Sequence, residues 1–303
     1  MNTATDLHQT PEWAEFMSRL GWKIELLENG EGEVCRVFIK NLPFLGSIVK
    51  TMRPAFVPFG QLEELAKRRR ALFIKVESAE GGPEEKVLLA NGYVRDNWPL
   101  CPTKIVSVDL KPGLDELWNK FSKDARYSIR KAERNGITIE VIPLNDAILT
   151  PKRLQSFYKI FKSTGQEKGF WIPPRRELEA KVLAFKDKGY FILARFGPDE
   201  YLSGSLVIFS GKTAYYEYAA ATIVGRKLLA QYLVVWELIK MAKERDCNLL
   251  DLGGIADPRF KISRRWGSLS VFKSKFCGVE STYPGSYTKY YNPLIKFLFK
   301  FNL

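Results

Sequence analysis

The chain has 303 residues, enough for two ordinary domains, and its 46% hydrophobic and 27% charged content is that of a globular protein. Lys and Arg outnumber Asp and Glu 47 to 34, so the surface attracts polyanions such as tRNA, nucleotide pyrophosphates or an anionic membrane face. The single histidine, His8, falls in a polar N-terminal stretch and argues against His-based triads, His-ligated metals and imidazole bases, while Cys35, Cys101, Cys247 and Cys277 are spaced for neither a zinc site nor a disulfide framework.

Taken in chain order, Thr10-Pro11-Glu12 predicts a helix start, with Thr as N-cap and Pro at the first helical position, and Gly21 closes that helix after Leu20. Short β-rich runs follow at Val34 to Ile39 and Gly46 to Thr51, then a helix from Leu62 to Arg70 and a strand from Leu72 to Glu77. From Leu114 the apolar positions Leu117, Trp118, Phe121, Ala125, Ile129 and Ala132 recur at three and four, which predicts one long helix ended by Asn135-Gly136. Its opposite face is basic, with Arg126, Arg130 and Lys131 among its cations. A strand at Ile137 to Ile142 and helices near Leu154 to Lys162 and Arg176 to Lys186 come next. Runs at Tyr190 to Arg195, Leu202 to Phe209 and Ala214 to Ala220 predict an antiparallel meander. A helix from Lys227 to Arg245, a strand from Leu249 to Leu252 closed by Gly253-Gly254, and a short helix capped by Ser268 complete the pattern. Each half runs helix, strands, helix, strand, so the fold class is α+β with a weak duplication. No basic leader precedes an apolar stretch and no window approaches 18 apolar residues, which implies a cytoplasmic protein.

Four segments in order carry a resemblance. They are TPEWAEFMSRLGWK, then TKIVSVDLKPGLDELWNKFSKDARYSIRKAERNGITIEV, then YYEYAAATIVGRKLLAQYLVVWELIKMAKERDCNLLDLGGI, and finally SLSVFKSKFCGVESTYPGSY. Together they resemble the FemABX family of peptidoglycan interpeptide-bridge enzymes, in its layout without a coiled-coil arm. The resemblance implies two tandem GNAT-like acyltransferase domains sharing a cleft. Residues 1 to 144 plus 281 to 303 would form the first, on the acceptor side, and 145 to 280 the second, on the aminoacyl-tRNA side. It further implies a monomer without metal or organic cofactor that moves an amino acid from aminoacyl-tRNA to the stem peptide of a lipid-linked or UDP-linked precursor.

Such a transfer needs a positioned amine and a group that meets the oxyanion of the tetrahedral intermediate. A lysine of ordinary pKa, about 10.4, is protonated at neutral pH and suits an oxyanion better than it suits a general base. Lys273 matches the family's functional lysine and Phe272 the aromatic beside it; read on spacing alone, Lys273 is a solvated helix residue. Tyr216 and Tyr218 share one strand face by alternation, lining an acceptor channel or packing in the core. Arg226, near a helix start, meets a phosphate or simply opens an exposed helix. Asp251 orients substrate or caps Gly253 and Gly254. In GFWIPPRRE, Trp171 and Pro173 occupy the positions where arm-free relatives hold phosphates, leaving Arg175 or Arg176 as substitutes. Arg126, Arg130 and Lys131 track an RNA backbone or form a solvated face. The tail YYNPLIKFLFKFNL, with Lys296 and Lys300 among its apolar residues, rests on an anionic inner membrane surface or packs on the first domain. A rival reading is an acyl-CoA-dependent N-acyltransferase, although TIVGRKLLA offers only Gly225 to a pyrophosphate; another is a non-catalytic RNA- or membrane-binding relative.

Overall fold

The computed structural model describes residues 5–149, 151–169, 171–198 and 200–301. The chain forms two compact units: Met1–Lys104 with Asp257–Arg264 and Thr282–Leu303, and Ile105–Ala256 with Arg265–Ser281.

In unit 1 the first helix, α1 (Pro11–Arg19), starts as the sequence dictates, with Thr10 Oγ1 accepting from Trp13 N at 3.2 Å and Pro11 at the first position. Strands β1 (Lys23–Glu28), β2 (Val34–Leu42) and β3 (Gly46–Met52) follow, then α2 (Phe59–Arg69), β4 (Ala71–Glu77), α3 (Glu85–Ala90) and β5 (Val94–Asp96). His8 does not lie in a free polar tail. A 3-10 turn over Leu7–Gln9 buries its neighbours, and the imidazole Nδ1 sits 2.6 Å from Asp6 Oδ1. Burial opposes its protonation, but Cys101 and Asp6 prevail and raise its pKa to about 10.

Unit 2 opens with β6 (Lys104–Asp109), α4 (Leu114–Lys120) and α5 (Lys123–Arg134), followed by β7 (Ile137–Pro143), α6 (Leu144–Leu149), α7 (Pro151–Lys168) and α8 (Arg175–Ala184). The meander is β8 (Gly189–Phe196), β9 (Glu200–Ser210) and β10 (Thr213–Ala221); α9 (Ile223–Lys227), α10 (Ala230–Glu244), β11 (Leu249–Gly254), α11 (Gly267–Ser274) and β12 (Val279–Thr282) complete the unit. Among the described residues its sheet has seven strands in the order β12-β6-β11-β10-β9-β8-β7. The chain then returns to unit 1 with β13 (Ser286–Tyr290) and α12 (Pro293–Phe301), giving, among the described residues, a six-stranded sheet ordered β1-β2-β3-β4-β13-β5.

Three expectations change. The boundary lies near residue 104 rather than 144, because β6 hydrogen-bonds to β11 and Leu117, Phe121, Ala125 and Ile129 pack in one core with Leu238 and Leu250. The long helix is two helices. Phe121 turns extended at ψ 149 to bury its ring on Trp236 and Phe276, and Ser122 Oγ caps the second helix at Ala125 N. Both pieces bury the same side, so the periodicity runs straight through the break. The helix expected from Lys227 to Arg245 is present as α10 but starts three residues later: Lys227 ends the short helix α9, which Thr222 caps, and Leu229, at φ 63, separates the two.

Candidate active site

The site grows from a defect in the unit 2 sheet. Strands β10 and β11 run parallel and pair only over Thr213–Tyr215 and Leu249–Asp251. Beyond that, β10 stays on β9 to Ala221 while β11 stays on β6 to Gly254. Each ladder slips at the parting point: β10 carries an extra residue between Tyr216 and Ala219, and β11 one between Asp251 and Gly254. The second slip needs Gly253 at φ +77, a conformation that penalises a Cβ.

Lys273, on α11, sends its side chain to this fork. It is buried, and its Nζ donates to Gly254 O at 2.7 Å. A Cβ built on Gly253 would lie 3.6 Å from both Lys273 Nζ and Tyr216 O, so the ammonium and the carbonyl at the start of the β10 bulge both lie close to Gly253 of the β11 bulge. Burial pulls its pKa down to about 8, against the carboxylates of Asp251 and Glu217, which act to raise it. Lys273 is therefore not a solvated helix residue. Phe272 is half-buried beside it, its ring edge-on to Tyr232 at 4.9 Å and Phe276 at 5.4 Å.

The bulge also undoes the expected alternation of the two tyrosines. Tyr216 is buried in the core that includes α10 and accepts a hydrogen bond from Gln231 on that helix. Tyr218 stacks on Phe161 of α7 at 5.1 Å, and Lys181 of α8 lies 4.4 Å from its ring centroid. Burial holds both phenols neutral, that of Tyr218 at about 12. Lys181, buried at the fork's side, pairs with Glu217 Oε2 at 2.7 Å; burial alone would lower its pKa, but Glu217 and Tyr218 raise it. Sequence reasoning passed over Lys181 and Glu217. An acid inside the run AYYEYAAA was the available signal, since a strand this apolar seldom carries a charge without a partner.

The remaining candidates are dispersed. Asp251 Oδ1 accepts from Gly253 N at 2.6 Å and so caps the β11 bulge. Arg226 does not open a long helix. It lies at the end of five-residue α9, pairs with Glu167 and donates to Ala221 O. Arg175 is exposed and paired with Glu179 at 2.7 Å. Trp171 is exposed, Pro173 is buried, and Phe170 of the same stretch lies outside the described residues. Gly225 is explained by packing, because a Cβ there would meet Leu202 O at 2.3 Å, and its N–H is taken by Thr222 Oγ1 at 2.9 Å. On α5, Lys123, Arg126, Tyr127, Arg130 and Arg134 line a shallow groove, and Lys131 lies over the Tyr127 ring at 5.5 Å. On α12, Phe299 stacks on Trp98 at 5.1 Å, while Leu294, Phe297 and Leu298 are exposed; the side chain of Lys300 lies outside the described residues. Among the described residues, no helix is long and apolar enough to cross a membrane.

Lipid II:glycine glycyltransferase of Staphylococcus aureus is 22% identical over 88% of this chain and 84% of its own. The crystal structure of FemX superposes with a TM-score of 0.79 at 20% identity, over 98% of this chain and 95% of that one. A tandem GNAT protein from the clavulanic acid biosynthesis pathway superposes with a TM-score of 0.55 at 11% identity, over 94% and 95%. The fold is thus α+β, built of two tandem GNAT-like domains. The FemAB family model matches residues 102–203 and 192–301, two segments that together take in both strands of the fork and Lys273, and the chain belongs to the FemAB family.

Proposed function

We propose that this chain is an aminoacyltransferase of cell-wall synthesis. It takes an amino acid from aminoacyl-tRNA and joins it to the stem peptide of a peptidoglycan precursor, lipid-linked or UDP-linked. The observation that carries this reading is the ammonium of Lys273, fixed at a fork in the sheet of a FemAB-family chain. The reaction itself is modest: the tRNA ester supplies the activation, the acceptor amine attacks its carbonyl, negative charge appears on the carbonyl oxygen, and collapse of that intermediate breaks the ester C–O bond, the tRNA ribose oxygen leaving as a hydroxyl with the proton the amine gives up. A cation with three N–H donors in a water-poor site meets that charge at little reorganisation cost.

In this reading Phe272 and Tyr218 flank the reacting groups, while Tyr216, Asp251 and Arg226 hold the fork in shape through their internal bonds. Arg175 is the exposed cation closest in sequence to the stretch that would face the precursor's phosphates. Unit 1 receives the acceptor and unit 2 the charged tRNA, with Arg126, Arg130 and Lys131 of α5 along the RNA backbone. The protein works as a cytoplasmic monomer, with the outward residues of α12 resting on the inner membrane face. The occupied N–H and buried position of Gly225 favour this over an acyl-CoA donor, whose pyrophosphate needs a free glycine-rich helix start.

The test incubates the protein with mixed charged tRNA and with lipid-linked or UDP-linked precursor, then weighs the acceptor by mass spectrometry. A one-residue increment that disappears with ribonuclease treatment supports the reading. No increment with either acceptor, or an increment that requires acyl-CoA, overturns it.

A further inference from the structure

Among the described residues of unit 2, two lysines are buried: Lys181, 3% exposed, and Lys273, 7% exposed. An ammonium withdrawn from water keeps its proton only where negative charge is close. Lys181 has such a partner in direct contact, Glu217 Oε2 at 2.7 Å. Lys273 has a neutral partner in direct contact, Gly254 O at 2.7 Å, so its charge depends on carboxylates a little farther off. The carboxylates whose charge reaches it are Asp251 of β11 and Glu217 of β10; Glu217 is itself paired with Lys181 of α8, which also lies over the Tyr218 ring. Asp251 is anchored to the Gly253 N–H. Glu217 is anchored by Lys181 and sits within the β10 bulge, one residue from Tyr216, whose carbonyl lies, like the Lys273 ammonium, close to Gly253.

Two cations thus face two carboxylates, and the group balances. We propose that Glu217 is a positioning residue for the transfer: seated in the β10 bulge by Lys181, it supplies the charge that keeps Lys273 in the ammonium form its oxyanion role requires. This rests on the reading of Lys273 given above. Lys181 acts in the opposite sense, because it draws part of the Glu217 field to itself.

The sign of each substitution follows. Glu217→Gln leaves two cations against one carboxylate, so Lys273 releases its proton at lower pH. Lys181→Met leaves one cation against two carboxylates, so Lys273 keeps its proton to higher pH. Combining the two restores a balanced pair of Lys273 and Asp251. A merely structural Lys181–Glu217 contact makes the two single variants behave alike, since each breaks the same bond.

The experiment titrates the Lys273 side chain directly, by the carbon-13 shift of its Cε in the full-length protein labelled at lysine, with the resonance assigned by its loss in Lys273→Arg. Glu217→Gln should lower the midpoint by roughly one pH unit or more. Lys181→Met should raise it, and the double variant should return close to the unsubstituted protein. Glu217→Asp keeps the charge and should leave the midpoint nearly in place, so a comparison survives if Lys181→Met fails to fold. The alkaline limb of the transfer rate should move with each midpoint. Midpoints that shift in the same direction, or that do not move in Glu217→Gln, overturn the inference. The titration uses neither tRNA nor precursor, so absence of transfer with intact opposite shifts counts against the enzymatic reading alone.

Discussion

Lys273 Nζ and Gly254 O are 2.7 Å apart, and that bond fixes the ammonium to β11 beyond the point at which β10 has left it. The carbonyl is aimed by the β11 bulge, and the bulge is held by Gly253 at φ +77 and by the Asp251 carboxylate on the Gly253 N–H. An aromatic-flanked lysine on a short helix is therefore positioned by a strand irregularity 19 residues earlier in the chain.

Replacing Lys273 by Met keeps much of the stem packing and removes the charge. The expected loss is about 2.7 to 4 kcal/mol of transition-state stabilisation, seen as a fall of about 10² to 10³ in kcat. Stability should move the other way at neutral pH. The folded pKa of about 8 lies below the unfolded value of 10.5, so burying the charged form costs on the order of 3 kcal/mol below pH 8. Between those values the unfolded chain holds more protons, and the unsubstituted protein gains stability as pH rises; the Met variant should lack that rise in denaturant melts. A Met variant with normal kcat would end the oxyanion role.

The same protonation predicts the alkaline side of the rate profile. Transfer should decline as pH climbs through about 8, where Lys273 loses its charge. Lys273→Arg, which stays protonated, should move that decline out of the measurable range even if its overall rate is lower. An identical alkaline limb in the Arg variant assigns the titration to another group.

Much of the framework was legible because short-range chemistry decides it. Thr10-Pro11 marks a helix start on its own, and the apolar runs of β8, β9 and β10 with their turns define the meander. Periodicity failed where two elements share a buried side, as at Phe121–Ser122, although Ser122 followed by Asp124 was a capping signal inside the run. It failed again at Tyr216 and Tyr218, because one extra residue in β10 reverses every later side chain and depends on a partner strand far away in sequence. Lys273 was reached through a motif. Its burial, and its dependence on Glu217 and Asp251, arise from tertiary neighbours that spacing does not reveal.

The α5 groove makes a prediction about RNA. If Arg126 and Arg130 each neutralise a phosphate, replacing either by Gln should reduce the slope of log affinity against log salt by about 0.7 to 0.9, with little change among tRNA sequences. Filter binding across a salt series reads this directly. An unchanged slope in both variants leaves α5 as a solvated face.

On α12, Phe299 faces the aromatic cluster of Phe73, Trp98 and Tyr290, and Leu294 and Leu298 face outward at 72% and 52% exposure with Lys296 between them. The charged side chains after Glu280 are Lys289, Lys296 and Lys300, all cationic. Leu294→Asp with Leu298→Asp should abolish flotation with anionic vesicles, while the unsubstituted protein binds these more strongly than neutral ones. Retention equal to the unsubstituted protein, or a change in solution mass instead, sets the membrane contact aside.

In the core of unit 1, Lys75 is 1% exposed and its Nζ lies 2.7 Å from Asp96 Oδ2 and 3.5 Å from the Trp98 ring centroid. Asp96 also accepts from Thr288 Oγ1 and from Trp98 N at 3.1 Å, so one carboxylate joins β4, β5 and β13. Asp96→Ala strands a buried ammonium and should cost about 3 to 5 kcal/mol in guanidinium melts. Lys75→Met with Asp96→Leu removes both charges and should recover most of that loss, since the desolvation penalty leaves with the pair. A double variant as unstable as the single one would mean that the Thr288 and Trp98 hydrogen bonds, rather than the ion pair, hold the three strands in register.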